Sequence, residues 1–251
     1  MVEILLTNDD GIGSAGILAL ADSLTRLGRV TVVAPDRERS ATSQALTLSR
    51  PIRYQELSTG KYSVDGTPTD CVIFALHYLL KFKPDLVVSG INHGPNLGRD
   101  IGYSGTVAGA IEGSNHDIPA FAISLAGGFD DGFRTAAEFA AILAEKLLTA
   151  SLSTEVVFNV NVPGGNIQGA RITFQGRRNI RNIIVENYDP RGRKYFWLDQ
   201  DLSLPNKEED PAADYVAVSQ GYISVTPIRT DRTGYDVAEK ISDWPNALFR
   251  S

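Results

Sequence analysis

Two adjacent carboxylates, Asp9 and Asp10, follow the short apolar run Ile4-Leu5-Leu6 and precede the glycine-rich stretch Gly11-Ile12-Gly13-Ser14-Ala15-Gly16. The glycines spell G-x-G-x-x-G, and Asp36 stands twenty residues past Gly16, which is formally a dinucleotide-binding fingerprint. Charge argues against that reading. Asp9 and Asp10 sit where a pyrophosphate would approach, and each like charge at ~4 Å costs about 1 to 4 kcal/mol. A divalent cation reverses the sign, because two carboxylates at the carboxyl edge of a parallel sheet can hold a cation that in turn holds a phosphate. Asp-Asp-Gly is also an ordinary turn and helix-capping sequence. The D-x-D pattern of aspartyl-phosphate enzymes is not met, because the carboxylates are adjacent rather than alternate.

Three further loops carry matching chemistry. Ala34-Pro35-Asp36-Arg37-Glu38-Arg39-Ser40 offers the Ser40 hydroxyl and two guanidinium groups, although a surface loop of charge pairs would read the same way. Ser89-Gly90-Ile91-Asn92-His93-Gly94-Pro95-Asn96 presents two carboxamides. An Asn oxygen is a hard, neutral donor that completes a shell begun by aspartates, and Asn is equally a turn former. Ser104-Gly105-Thr106 opens a helix, whose free amides and hydroxyls suit a phosphate and whose Ser104 also suits plain N-capping. Zinc is disfavoured: there is one cysteine, and His77, His93 and His116 form no pair at i, i+4 spacing. His77 is expected to pack mid-helix, His116 to sit in a turn, and His93, in the Asn92 loop, could act as an acid.

These loops converge only if the elements before them are strands of one sheet. Glu3–Thr7, Val30–Ala34, Leu86–Ser89, Ala120–Ser124 and Val156–Asn161 are continuous Val, Ile and Leu runs, as in strands buried on both faces. Helical spacing of apolar residues over Ala15–Leu27, Thr69–Phe82, Thr106–Gly113 and Phe133–Thr149 alternates with them. The expected fold is therefore α/β, a Rossmann-like and mostly parallel sheet with helices on both faces. Leu46–Val64 reads as an added hairpin or arm. After Pro163 the texture changes, and Ile172–Phe174, Tyr195–Leu198 and Tyr222–Pro227 look like strands between polar, Arg-rich loops. Too small for a core of its own, this β-rich C-terminal excursion is assigned to subunit contacts. An amphipathic helix from about Tyr235 to Leu248 closes the chain. The expected division is one domain over residues 1–251, with its core about 1–165, an oligomerisation arm about 166–230 and the closing helix about 235–248.

The bulk numbers narrow the function. At 251 residues the chain can bury about three quarters of its unfolded surface without a staple. Thirty acidic against 24 basic residues give a net charge of −6. That argues against a stable nucleic-acid complex, which needs Lys and Arg on its phosphates. A small anionic ligand is compatible with this charge if a metal handles it locally. The one cysteine, Cys71, rules out an internal disulfide and fits a reducing compartment, with a buried packing thiol as its simplest role. No apolar run approaches the ~18 residues of a membrane span, so a cytoplasmic location without membrane contact is expected. Disorder is expected only at the extreme C-terminus and over Asn206–Asp210.

Taken together the residues resemble the SurE, or survival protein E, family of metal-dependent 5′/3′-nucleotidases. The marks run along nearly the whole chain: Ile4-Leu5-Leu6-Thr7-Asn8-Asp9-Asp10-Gly11, Val32-Val33-Ala34-Pro35-Asp36-Arg37 with Arg39-Ser40, Gly66-Thr67-Pro68-Thr69-Asp70, Ser89-Gly90-Ile91-Asn92 through Gly98, Tyr103-Ser104-Gly105-Thr106, Asn159-Val160-Asn161-Val162-Pro163, Asp189-Pro190-Arg191-Gly192 and Gly221 to Pro227. The resemblance implies a SurE-like fold and one divalent metal ion per subunit, Mg²⁺ or Mn²⁺, on Asp9, Asp10, Ser40 and Asn92. It also implies a phosphate-facing shell of Asn96 with Ser104, Gly105 and Thr106. Catalysis would fall to Asp9, Asp10 and Asn96, with a metal-activated water attacking nucleoside monophosphates. Other small phosphate esters and polyphosphate stay open as substrates. Homodimers or homotetramers joined through C-terminal arms are implied too. The loop from Gly127 to Asp131 is short and says nothing of substrate preference. Two other readings stand beside this one: a nicotinamide-dependent oxidoreductase, and a nucleotide-sensing module without turnover.

Overall fold

The structure, a computed structural model, describes residues 1–128, 132–177, 181–201, 210–242 and 244. Among the described residues there are eleven strands and six α-helices: β1 (Glu3–Thr7), α1 (Ala15–Leu24), β2 (Arg29–Pro35), β3 (Tyr54–Ser58), β4 (Lys61–Val64), α2 (Pro68–Phe74), β5 (Leu86–His93), α3 (Gly105–Asn115), β6 (Ala120–Ala126), α4 (Gly132–Thr149), β7 (Val156–Pro163), β8 (Gly169–Ile172), β9 (Arg181–Tyr188), β10 (Lys194–Asp201), α5 (Asp214–Ser219), β11 (Tyr222–Arg229) and α6 (Tyr235–Lys240). Nine strands form one sheet in the order β3-β4-β2-β1-β5-β6-β7-β11-β8, and β9 and β10 pair separately. The run from β4 to β7 is parallel throughout, whereas β11 lies antiparallel to β7 and parallel to β8.

The sheet is parallel because the strands are apolar on both sides and helices cover both. Ile4 and Leu6 of β1 join Ile17, Leu20 and Leu24 of α1 and the alanine face of α4 (Ala136, Ala137, Ala140, Ala141 and Ala144) in one core. Leu5, between them, faces the other way and joins Cys71 and Val72 of α2 and Val107, Ala110 and Ile111 of α3 in a second core. The expected strands and helices are thus present, with helices on both faces as a Rossmann-like sheet requires.

Several boundaries differ from expectation. The helix expected over Thr69–Phe82 starts at Pro68, where a reciprocal capping pair forms: Thr67 accepts from the Asp70 amide, and Asp70 accepts from the Thr67 amide at 2.8 Å. It ends as α-helix at Phe74 and continues as a π-turn over Ala75–Leu79. His77 lies in that turn, exposed to solvent and edge-on to His116 at 5.1 Å, not packed inside a helix. Leu46–Val64 contributes strands only over its second half, as β3 and β4. The strand expected at Ile172–Phe174 is β8, shifted toward the N-terminus, with Phe174 left in an isolated bridge to Ala213. Tyr195–Leu198 widens into β10, and its partner β9 is a strand where the sequence suggests a loop. α6 covers the start of the closing helix; residues 243 and 245–251 lie outside those described, as do 202–209 and 129–131.

Candidate functional site

The loops after β1, β2 and β5 meet beyond the carboxyl ends of these strands, the usual place for a ligand in an open parallel sheet. A cavity of about 440 Å³ there is lined by Asp9, Ser40, Asn92, Asn96 and Ser104, among others. These five were singled out from the sequence. Asp10, Gly105 and Thr106 do not line the cavity themselves but adjoin residues that do, Asp9 and Ser104.

Asp9 is buried at 5% exposure, and burial, opposed by a hydrogen bond from Thr106 and assisted by the charge of Asp10, pushes its carboxyl up to about 6. The Thr106 hydroxyl donates to Asp9 Oδ1. Thr106 is fully buried, so its hydroxyl serves the carboxylate and is not displayed to the cavity. Gly105 explains how the helix comes so close. A Cβ there would lie 2.9 Å from Asp9 Cβ and 3.1 Å from Asp9 Oδ2, so only glycine lets α3 start against the carboxylate. Ser104 caps the helix by accepting from the Val107 amide at 3.1 Å, which leaves the amides of Gly105 and Thr106 without partners in the helix.

Asp10 accepts from the backbone amide of His93 at 2.9 Å, tying the loop after β1 to the loop after β5; burial raises its carboxyl, and that bond lowers it. Asn92 donates its amide nitrogen to the Gly94 carbonyl at 2.8 Å. That bond orients the carboxamide through one of its two N–H donors, and its oxygen is the atom able to accept or to ligate. Ser40 donates to Glu38 Oε1 at 2.6 Å, and its loop is fastened by the Arg39 amide on the Asp9 carbonyl at 2.7 Å and the Ser43 amide on the Tyr103 carbonyl at 3.0 Å. Arg37 and Arg39 turn away from the cavity to Asp36, at 2.7 and 3.3 Å, and hold that carboxyl below its ordinary value. Asp36 is so engaged, and Gly16 is required by packing, because a Cβ on it would meet the Ile91 carbonyl oxygen at 2.0 Å. Both halves of the apparent dinucleotide fingerprint thus have structural roles.

Asn96 is held by residues that sequence reasoning gave no role. Asn161 on β7 accepts from the Asn96 amide at 2.8 Å and donates to its carbonyl at 3.0 Å, and Asn159 donates to the same carbonyl at 2.8 Å. The Asn96 side-chain nitrogen donates to Ser124 Oγ on β6 at 2.8 Å. Two positions on, the Gly98 amide donates to buried Asp214 at 2.7 Å. The signal was present in Asn159-Val160-Asn161: two carboxamides at alternate positions of a strand buried on both faces must find partners. His93, Asp100, Tyr103, Asn182 and Leu198 also line the cavity, the last two from the β9–β10 hairpin.

The oxygen donors fit a hard divalent cation. They comprise two carboxylates, a hydroxyl and a carboxamide oxygen, and the buried carboxyl of Asp9 lacks the compensating charge that a cation would bring. Among the described residues, no three of His, Cys, Asp and Glu cluster as a metal site, so such a cation would rest on two carboxylates and neutral oxygens.

Comparison with known proteins gives one answer. The family model described as Survival protein SurE matches residues 4–182. The chain is 50% identical to a protein named 5′-nucleotidase SurE from Syntrophotalea carbinolica, over 96% of each chain. It is 48% identical to one of the same name from Geobacter sulfurreducens, over 99% of this chain and 96% of the other. The crystal structure of Sure protein from Aquifex aeolicus is 40% identical and superposes with a TM-score of 0.85, covering 97% of this chain and 99% of that one.

Proposed function

The chain belongs to the SurE family, and from that premise we propose that it is a metal-dependent 5′-nucleotidase, hydrolysing nucleoside monophosphates to nucleoside and phosphate. The observation that carries the reading is the joint placement of Asp9, Ser40, Asn92, Asn96 and Ser104 on one cavity at the carboxyl edge of the sheet.

In this reading Asp9, Asp10, Ser40 and Asn92 hold one Mg²⁺ or Mn²⁺. When bound, the cation neutralises phosphate charge and acidifies water, the two contributions that hydrolysis at neutral pH needs. The protein's own groups do the rest. Thr106 fixes the rotamer of Asp9, and the Asp10–His93 bond sets the distance between the first and third loops. The Asn96 side chain, pinned through Ser124, meets charge on the phosphoryl oxygens together with Ser104 and the first-turn amides of α3. A water oxygen bonds to phosphorus while the P–O bond to the sugar breaks, and the alkoxide leaves with a proton as the nucleoside hydroxyl.

We extend the proposal to nucleoside 3′-monophosphates, with polyphosphate and other small esters to be tried in the same assay. The chain is one domain whose residues 166–230 serve a homodimer or homotetramer; large apolar side chains exposed on the β9–β10 hairpin, Ile184, Phe196 and Trp197 among them, support this. A cytoplasmic location is supported by Cys71, which is buried and unpaired. Among the described residues no helix is long and apolar enough to cross a membrane.

The test is phosphate release from a panel of nucleoside monophosphates by metal-stripped protein, before and after Mg²⁺ or Mn²⁺. Turnover restored by the cation is the expected result. Nucleotide binding with no release under any cation would replace the enzyme with a nucleotide-sensing module.

A further inference from the structure

The floor and the rim of the cavity differ in chemistry. Asp9, Ser40, Asn92, Asn96 and Ser104 supply polar groups, whereas Tyr103 and Leu198 bring a ring and an isobutyl group, 62% and 72% exposed, to the same space. Large apolar surface held open to water at a polar cleft marks a place where a ligand completes the burial.

Tyr103 is carried by backbone that is fixed, and Leu198 by a paired strand. Tyr103 donates its amide to the Asp100 carbonyl at 3.0 Å and accepts at its own carbonyl from Ser43 at 3.0 Å, so its ring projects from a segment tied on both sides. Ser43 Oγ adds a bond to the Gly102 carbonyl at 2.9 Å. Leu198 and Asn182 belong to opposite strands of the hairpin. The register pairs Leu198 with Ile184 and Asn182 with Gln200, which puts Leu198 and Asn182 on one face as diagonal neighbours. Both residues line the cavity.

We propose that Tyr103, Leu198 and Asn182 form a nucleobase subsite, with the base between the Tyr103 ring and the Leu198 side chain and its edge against the Asn182 carboxamide. The inference rests on the phosphatase reading and adds to it where specificity is set. A tyrosine face stacks on any base. A carboxamide carries both donors and an acceptor, and so meets the edge of a purine or a pyrimidine. The subsite therefore recognises that a base is present more than which base it is.

The test compares adenosine monophosphate with ribose 5-phosphate, which carries the same phosphate ester and sugar but no base, in the full-length protein with Mg²⁺ or Mn²⁺. The ratio of kcat/KM for the two substrates falls roughly tenfold in Tyr103→Ala, as expected for loss of one base–aromatic stack. It falls similarly in Leu198→Ala, mainly through KM, and is retained in Tyr103→Phe, where the ring persists. Both side chains are exposed, so folding is little affected. An unchanged ratio in Tyr103→Ala and Leu198→Ala, or equal losses on both substrates, overturns the subsite while leaving the phosphatase standing. A wild-type protein inactive on both substrates with every cation removes the phosphatase reading and the subsite together.

Discussion

The hydroxyl of Thr106, in the first turn of α3, donates to the carboxylate of Asp9, in the loop after β1, across 97 positions of sequence. This bond joins the segment assigned to the metal to the segment assigned to the phosphate. It also makes the charge state of Asp9 a property of the fold as well as of the reaction.

Replacing Asp9 by Asn should stabilise the metal-free protein above pH 6. Burial raises the folded-state value of Asp9 from 3.8 to about 6, so the folded protein holds this proton more tightly than the unfolded chain. The associated stability is complete below pH 3.8 and is lost as pH rises through about 6, a penalty of up to about 3 kcal/mol at neutral pH. Thermal melts of wild type and Asp9→Asn at pH 5 and pH 8 check this. The variant should melt higher at pH 8, with a smaller difference at pH 5. A lower melting temperature for the variant at pH 8 would contradict the assigned penalty.

Cation binding should weaken in acid for the same reason. Only ionised Asp9 is a ligand, so the apparent dissociation constant for Mg²⁺ or Mn²⁺ rises as pH falls below about 6, approaching tenfold per pH unit from this group. Calorimetric titration from pH 5 to pH 8 measures the slope. A flat profile would remove Asp9 from the ligand set.

Gly105→Ala should damage the site without unfolding the protein. The new methyl group would lie 2.9 Å from Asp9 Cβ and 3.0 Å from Thr42 Oγ1, which forces the start of α3 away from the carboxylate. Such overpacking costs about 1 to 3 kcal/mol. Phosphate release should fall at least tenfold while the circular dichroism spectrum stays that of wild type; near-normal release would show that α3 need not touch Asp9.

Asn161→Ala should be more harmful than Asn159→Ala. Loss of Asn161 strands the buried Asn96 amide, at about 1 to 3 kcal/mol, and removes one donor to its carbonyl. Loss of Asn159 leaves that carbonyl served by Asn161, and it also deletes the Asn159 Oδ1 atom, which is itself buried without a partner. Denaturant melts together with phosphate release from both variants decide the order, and the reverse ranking would refute the clamp.

The legible and illegible parts of this molecule divide by range. Runs such as Leu86-Val87-Val88 and Ala120-Phe121-Ala122-Ile123 announce strands buried on both faces, and parallel strands place their following loops together whatever those loops contain. Hence the sequence alone leads one to expect Asp9, Ser40 and Asn92 side by side. Thr106 was expected to show its hydroxyl to phosphate, but a helix start can spend a hydroxyl inward, and spacing does not say which way. β9 looks like loop in the sequence because Arg181, Asn182, Glu186 and Asn187 dilute its Ile-Ile-Val centre. A strand exposed on both faces has no burial pattern to announce it. The approach of Asn182 and Leu198 to the cavity depends on pairing and docking, neither of which is written locally.

The antiparallel insertion of β11 beside β7 has a consequence for synthesis. Translation delivers β4 to β7 in an order that lets each pair with a strand already made, whereas the outer edge of β7 must wait for Tyr222–Arg229. Until then β7 offers bare amides and carbonyls along Val156–Asn161, a template on which another nascent chain can add itself. A polypeptide released before Tyr222 carries the whole cavity floor, Asp9 to Ser104, yet leaves that edge open, and so it is expected to aggregate more readily than the chain that includes β11.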